Sequence, residues 1–171
     1  MLKFRADFVT NSSSSSFIVG FKSEDVIPEE VKDNLQGFGQ EYVDLVLSDI
    51  QNEEQLSAKQ VIEMISEKKF EDEETRKLWE FQRKHPDKSY RATIKYFANE
   101  GKAELDCIRQ KIVAETEQKI KNSDCSVFVS LEYGNDSSKW RQRNEQQHCI
   151  DSELETIMID LPITFARLSY H

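Results

Sequence analysis

The sequence predicts an α+β domain in which strands from the two ends of the chain form a largely antiparallel sheet, packed against helices from the middle. Three observations indicate this fold. Alternating apolar residues occupy both ends of the chain, helical patterns occupy its middle, and ten phenylalanines with two tryptophans supply large side chains for a core. The length fits one domain, which we assign to residues 1–171.

The predicted strands share a period of two between apolar and polar residues, which is typical of a strand with one buried face. The pattern occurs in four stretches: Leu2–Phe8, Phe17–Phe21, Val127–Tyr133 and Ile157–Leu161. Large apolar residues after Pro162 predict a final strand over 163–170. The outer stretches belong to opposite ends of the chain, so we expect the two termini to meet in the sheet.

Helical patterns fill the region between these strands. The first follows Pro28, which suits the first turn of a helix. Residues 41–50 fit both the helical period and the strand period, and we favour a helix. Further helices are predicted from the capping box of Ser57 and Gln60, over 72–84, and over 89–121.

The longest of these patterns carries a narrow apolar stripe from Ile94 to Ile120, with charged residues around it. The stripe predicts that one face of the helix is covered, and we expect the protein's own sheet to cover it. A partner helix or the seam of a homodimer is the alternative. Asn99-Glu100-Gly101 is a point at which the helix could break in two.

The chain is acidic, with a formal net charge of -9 and a sequence pI of about 4.9. Nucleic-acid and anionic-membrane binding both draw on lysine and arginine, so we expect neither partner. No apolar stretch is long enough to span a bilayer, and no secretory signal follows Met1. Cys107, Cys125 and Cys149 form no disulfide framework. These features predict a cytoplasmic protein.

Five consecutive serines stand between two predicted strands and predict a serine-rich loop: Ser12, Ser13, Ser14, Ser15 and Ser16. Their hydroxyls and backbone amides could bind an anion. Phosphate-binding loops usually use glycine and a following lysine, and this run has neither. A nucleophilic serine needs an adjacent base and an oxyanion hole, and no Gly-x-Ser-x-Gly motif is present. We favour a loop used for recognition over a plain turn.

The residues around this run, FRADFVTN at 4–11 and FIV at 17–19, resemble a signature at the start of many uncharacterised bacterial proteins, (R)xDFVTNSSSSSF. The resemblance covers only the N-terminal part of the chain. It implies that the run is a shared element, read by a common partner or by processing machinery. It implies no catalytic residue and no cofactor.

Residues 134–152 predict a long polar loop, which in a compact domain is either functional or without fixed structure. Trp140, Arg141, Arg143 and His148 are its candidate ligand-binding residues, because an indole ring flanked by cations can stack on a partner. His148 and Cys149 are adjacent, and adjacent side chains of an extended chain point to opposite faces. We therefore expect no metal site and no cofactor.

Two functions remain open. The first is a non-enzymatic interaction module that contacts a protein partner through the serine-rich loop and the loop around Trp140. The alternative is a binding protein for a small anion such as phosphate, or an enzyme, in which the serine loop and residues 140–149 form one site. The alternative requires both loops to lie at the same end of the sheet.

Overall fold

The computed structural model describes residues 14–134 and 145–169. These residues form six α-helices and a four-stranded antiparallel sheet, so the predicted α+β class is confirmed. In chain order the elements are β1 (Ser14–Phe21), α1 (Ile27–Asn34), α2 (Gln40–Asn52), β2 (Gln55–Leu56), α3 (Ala58–Lys84), α4 (Tyr90–Ala98), α5 (Lys102–Asn122), β3 (Val127–Gly134), α6 (Glu145–Met158) and β4 (Thr164–Ser169). The strand predicted at Leu2–Phe8 lies outside the described residues.

The chain divides into two compact units. Unit 1 consists of Met1–Ser57 and Cys125–His171, and it contains the sheet with α1, α2 and α6. Unit 2 is the continuous segment Ala58–Asp124, and it contains α3, α4 and α5. The assignment of a single domain to 1–171 stays a prediction.

The sheet of unit 1 has the strand order β2-β3-β1-β4, with every neighbouring pair antiparallel. The central strand β1 therefore joins the N-terminal and the C-terminal parts of the chain, as predicted. Phe17, Ile18 and Val19 are fully buried, although consecutive strand residues point to opposite faces. The alternating pattern predicted one buried face, and β1 is instead buried on both.

One face of the sheet carries the main core of unit 1. Phe17, Val19 and Phe21 on β1 lie beside alternate residues of β3 and pack with apolar side chains of α1, α2 and α6. For residues 41–50 the sequence favoured a helix over a strand, and this prediction is confirmed, because they lie in α2. Its buried residues Val43, Val46 and Ile50 follow the helical period of three and four.

Two loop predictions are wrong over the described residues. Ser14–Ser16 belong to β1 and not to the predicted loop at 12–16, because their backbone continues the ladder with β3. Residues 145–152 of the predicted loop at 134–152 form the first half of α6. The strand predicted at Ile157–Leu161 is wrong as well, since α6 continues to Met158. The final strand is confirmed as β4.

Unit 2 is built around a single helix, α3, where the sequence predicted two helices. No glycine or proline interrupts residues 58–84, so nothing in the backbone ends the first helix. The acidic residues at the start of the predicted helix 72–84 lie in the middle of α3, where some of them form ion pairs with cations one turn away. Lys68 Nζ lies 2.8 Å from Asp72 Oδ1, and Arg76 pairs with Glu73 and Glu80.

The apolar stripe of the longest predicted helix packs within unit 2 against α3, whereas the sequence predicted the sheet as its partner. Phe97 and Leu105 form a buried cluster with Phe70 and Leu78 of α3. The predicted break is present, because the stripe runs along α4 and continues along α5 after Gly101. A homodimer through the Ile94–Ile120 stripe stays a prediction.

Gly101 allows the close approach of the two helices at this break. A Cβ atom at this position would lie 2.7 Å from Cδ1 of Phe97 and 3.0 Å from Cε1 of Tyr96. We expect Gly101→Ala to lower the free energy of unfolding by about 1–3 kcal/mol, because a methyl group is forced into a filled site. Urea denaturation followed by circular dichroism measures this change.

The neighbouring residue provides the control for this substitution. Glu100 is exposed, so Glu100→Ala should change the free energy of unfolding by less than about 0.5 kcal/mol. Equal effects of the two substitutions would contradict the crowding at Gly101.

Candidate functional site

Three strands share one end of the sheet, and this end collects polar side chains. Ser14 of β1 pairs with Gly134, the last residue of β3, and Ser15 pairs with Ser169, the last residue of β4. The serine run and the polar segment that follows Gly134 are therefore attached to the same end of the sheet. We call this end the polar end and define it by its described polar residues: Ser15, Tyr133, His148, Asp151, Glu155 and Arg167.

A three-residue hydrogen-bond network lies at the centre of the polar end. The hydroxyl of Ser15 donates to Glu155 Oε1 at 2.8 Å and accepts from Arg167 Nη2 at 2.8 Å. The same Nη2 lies 3.9 Å from Glu155 Oε1, so the serine bridges an ion pair. The network joins β1, α6 and β4, which are far apart in the sequence.

The burial of Ser15 fixes the role of this hydroxyl. The residue is 2% exposed, and its donor and one of its acceptor sites are occupied by charged groups. Hydrogen bonds to charged groups are about twice as strong as neutral ones. Ser15 therefore holds α6 and β4 to the start of β1, and the arrangement is that of a structural anchor.

The direction of α6 places more polar residues at the same end. The helix ends at Met158, and β4 begins opposite Val19, which lies further along β1 than Ser15. The N-terminal half of α6 thus extends from Glu155 towards the polar end. Asp151 and His148 precede Glu155 by four and seven residues, about 6 and 10 Å along the axis, on a similar face.

These two residues differ from surface side chains in their burial. Asp151 is fully buried, and Nδ1 of His148 is buried although the residue is half-exposed. Both residues take part in polar interactions. Buried charged residues are rare outside paired or functional positions, so the N-terminal half of α6 is part of the candidate site.

A second polar contact joins α6 to α2. The hydroxyl of Tyr42, near the start of α2, donates to Glu153 Oε2 of α6. This hydrogen bond, with loss of solvent and the negative charges of Glu153 and Glu41, raises the pKa of Tyr42 to about 12. The phenol is therefore a fixed donor to the carboxylate across the whole physiological pH range.

A groove of about 300 Å³ runs between these two helices. Its apolar side chains are Leu45 of α2 and Ile150 of α6, and its acidic side chains are Glu41 and Asp44. Ser48 and Gln147 complete the lining. We call this the α2–α6 groove. Ile150 precedes Glu155 on α6, so the groove lies towards the polar end of unit 1.

The structure places four of the nine predicted ligand-binding residues. Ser14, Ser15 and Ser16 lie in β1, and His148 lies in α6. The other five, Ser12, Ser13, Trp140, Arg141 and Arg143, lie outside the described residues. His148 and Ser15 are brought to the same end of the sheet through Glu155.

Sequence reasoning missed six residues of the polar end and of the contact between α2 and α6: Tyr42, Tyr133, Asp151, Glu153, Glu155 and Arg167. Only one of them left a usable signal. Arg167 interrupts an apolar stretch that was correctly predicted as a strand, and a charged residue within such a stretch indicates a paired or functional position. The acids of α6 left no signal, because the segment around them was assigned to a loop and a strand.

Over 14–134 and 145–169, no three His, Cys, Asp or Glu side chains are grouped as metal ligands. Cys107, Cys125 and Cys149 are free thiols. No helix within these residues is both long enough and apolar enough to cross a membrane.

Removal of the Ser15 hydroxyl tests the anchor. We expect Ser15→Ala to lower the free energy of unfolding by about 1–3 kcal/mol, because it removes hydrogen bonds to two charged groups in a buried position. Thermal and urea denaturation measure the effect. Ser16→Ala is the matched control, since Ser16 is also buried but lies outside this network, and it should change stability much less.

The hydrogen bond between Tyr42 and Glu153 predicts a late tyrosine titration. The folded state binds the phenolic proton more tightly than the unfolded chain, whose tyrosines have pKa values of about 10. The stabilisation is complete below pH 10 and is lost as the pH rises towards 12. NMR of ring-labelled tyrosine at about pH 11 should show Tyr42 still protonated.

Removal of the carboxylate charge provides the comparison for this titration. In Glu153→Gln the pKa of Tyr42 should fall towards the ordinary value of about 10, because the charge that opposes ionisation is absent. Asp160→Asn removes an exposed acid at the end of α6 that is not among the causes of the raised pKa. An unchanged Tyr42 pKa in Glu153→Gln would contradict the contact.

Comparison with known proteins gives no family for this chain. No protein-family model matches it, and neither a curated protein nor a solved structure does. The function must therefore be inferred from the described residues themselves: the buried network at Ser15, the polar residues of α6, and the α2–α6 groove.

Proposed function

We propose that this protein is a non-enzymatic, cytoplasmic interaction module. Its partner is another protein, which it contacts at the polar end through the N-terminal serine-rich segment and the α2–α6 groove. A basic side chain of the partner, lysine or arginine, occupies the groove.

The observation that carries the proposal is the way in which the serine run joins the fold. Its last members are part of the central strand, and Ser15 is tied to α6 by the hydrogen bond to Glu155. The chain therefore enters the sheet at a fixed point on the side of the groove. Ser12 and Ser13 directly precede this anchored point in the sequence, which favours their use in recognition.

The charges of the described residues favour a cationic partner. Acids lie on the facing parts of α2 and α6: Glu41 and Asp44 line the groove, and Glu153 accepts the hydrogen bond from Tyr42. Arg167 at the polar end is already paired with Glu155. An acidic surface attracts basic segments and repels anions, and it speeds the association with such partners.

The groove has the shape and lining that a lysine or arginine side chain requires. Such side chains lay an apolar stem along apolar surface and keep the charged head at its edge. Leu45 and Ile150 would contact the stem, and Glu41 and Asp44 would contact the head. Its volume of about 300 Å³ is small for a metabolite site but sufficient for one side chain.

The alternative, a small-anion site formed by the serine run and residues 140–149, is supported by one observation. The pairing of Ser14 with Gly134 attaches both segments to the same end of the sheet, which this function requires. The acids around the groove weaken it, because they raise the cost of holding a phosphate nearby. An interaction module is therefore the better-supported function.

Affinity capture from a lysate of the source organism tests the proposal. The immobilised protein should retain a partner that salt elutes, because exposed ion pairs are screened within about 8 Å at physiological ionic strength. In Glu41→Gln/Asp44→Asn, and separately in Ser12→Ala/Ser13→Ala, the amount of that partner should fall about fivefold or more, a loss of roughly 1 kcal/mol in binding.

A matched variant separates the groove from the general effect of net charge. Glu63→Gln/Glu67→Gln removes two exposed acids from α3 and should leave capture unchanged. Equal losses in both acid variants would contradict a specific groove. Absence of any captured partner, together with a rise in melting temperature on addition of inorganic phosphate, would favour the anion site instead.

A further inference from the structure

Trp79 is the most exposed large apolar residue among the described parts of the chain. Its side chain lies on α3 in unit 2 and is 68% exposed. Beside it is an open concavity of about 780 Å³, whose lining includes Arg76, Arg83 and Pro86. Tryptophan and arginine are enriched at binding hot spots, so an exposed tryptophan beside a concavity lined by arginines makes this face a candidate interface.

The residues on either side of Trp79 carry opposite charges. Asp72 precedes it by seven residues and Arg83 follows it by four, and at 3.6 residues per turn all three lie on one face of α3. The side chain of Asp72 is 65% exposed, and Arg83 is also exposed. Arg83 makes no ion pair among the described residues, whereas Asp72 pairs with Lys68 of the same helix and its exposed carboxylate can accept a second cation. Arg76, which is closer to Trp79, is neutralised by Glu73 and Glu80.

We propose that this face binds a second copy of the same chain, with the two α3 helices antiparallel and crossing at Trp79. Such an interface is isologous, because the same residues lie on both sides of a twofold axis. The Trp79 ring of each copy enters the concavity of the other. A concavity of about 780 Å³ has ample room for an indole ring.

The antiparallel register brings unlike charges together. Residues at equal distances on opposite sides of Trp79 face each other, so Arg83 of one copy faces Thr75 of the other. Asp72 is three residues from Thr75, about 4.5 Å along the axis and on the same face. The long arginine side chain spans this distance, which gives two Arg83–Asp72 pairs per dimer.

The charge order distinguishes a second copy from other occupants. A parallel arrangement would oppose Asp72 to Asp72 and Arg83 to Arg83, and like charges face each other at a cost. A peptide or nucleic acid whose charges all have the same sign would be repelled on one side of Trp79, either by Asp72 or by Arg83. A surface with the inverted order of charges, which the same helix in reverse provides, complements both ends.

The contact is small, and this limits its strength. Two helices that touch over about four turns bury less than the roughly 1,200 Å² of stable complexes, so a weak dimer is expected. A dissociation constant near about 10⁻⁴ M is consistent with a centre formed by tryptophan and arginine, the residues most often found at binding hot spots.

Sedimentation equilibrium of the full chain from about 10 μM to 1 mM tests the proposal. The wild-type protein should pass from monomer to dimer over this range. Trp79→Ala should weaken the association about tenfold or more, and its circular dichroism should be unchanged because the ring is exposed. Tyr90→Ala is the control, since Tyr90 is a 53% exposed aromatic residue on α4, and it should have little effect.

Charge reversal tests the antiparallel register independently. Arg83→Asp places two aspartates opposite each other and should weaken the dimer about tenfold. The double variant Asp72→Arg/Arg83→Asp restores unlike pairs and should recover an affinity within about threefold of the wild type. A strict monomer in the wild type, no loss in Trp79→Ala, or no recovery in the double variant would each overturn the proposal.

Discussion

The central strand β1 is the element on which the described structure of unit 1 depends. It is paired along both edges, with β3 and β4, and it is buried on both faces. Its first buried polar residue, Ser15, lies between Glu155 and Arg167, so that one hydroxyl holds a helix and a strand to the start of the sheet. Because the buried Ser15 hydroxyl is bonded to both members of this ion pair, it fixes where the chain enters the fold.

β1, β3, β4 and the helical character of the middle could be predicted from the sequence, because their apolar residues follow a single period, whereas the two-residue strand β2 was not predicted. The helix α6 could not be predicted. Ile157, Ile159 and Leu161 alternate like a strand, while Ile150, Leu154 and Met158 repeat every four residues like a helix, and β-branched residues favoured the first reading. The packing of the second set against the core decides the conformation.

The candidate site was much less predictable than the fold. The contact between Ser15 and Glu155 joins residues 140 positions apart, and no local pattern encodes a pair at that separation. The sequence predicted a recognition loop at the serine run, but Ser14, Ser15 and Ser16 form part of a strand of the sheet. The exposure of Trp79 depends on which faces of α3 the neighbouring helices cover, and only the packing of unit 2 decides this.

The order of the strands along the chain also determines when they can pair during synthesis. β1 leaves the ribosome before its partners β3 and β4, which begin only at Val127 and Thr164. Because synthesis proceeds at about 5–20 residues per second, the apolar segment Phe17–Phe21 is complete several seconds or more before the strand β3 that pairs with it. Unit 2 is continuous in sequence and can fold in that interval. A hydrophilic run of serines directly before this waiting segment opposes its premature pairing with other nascent chains.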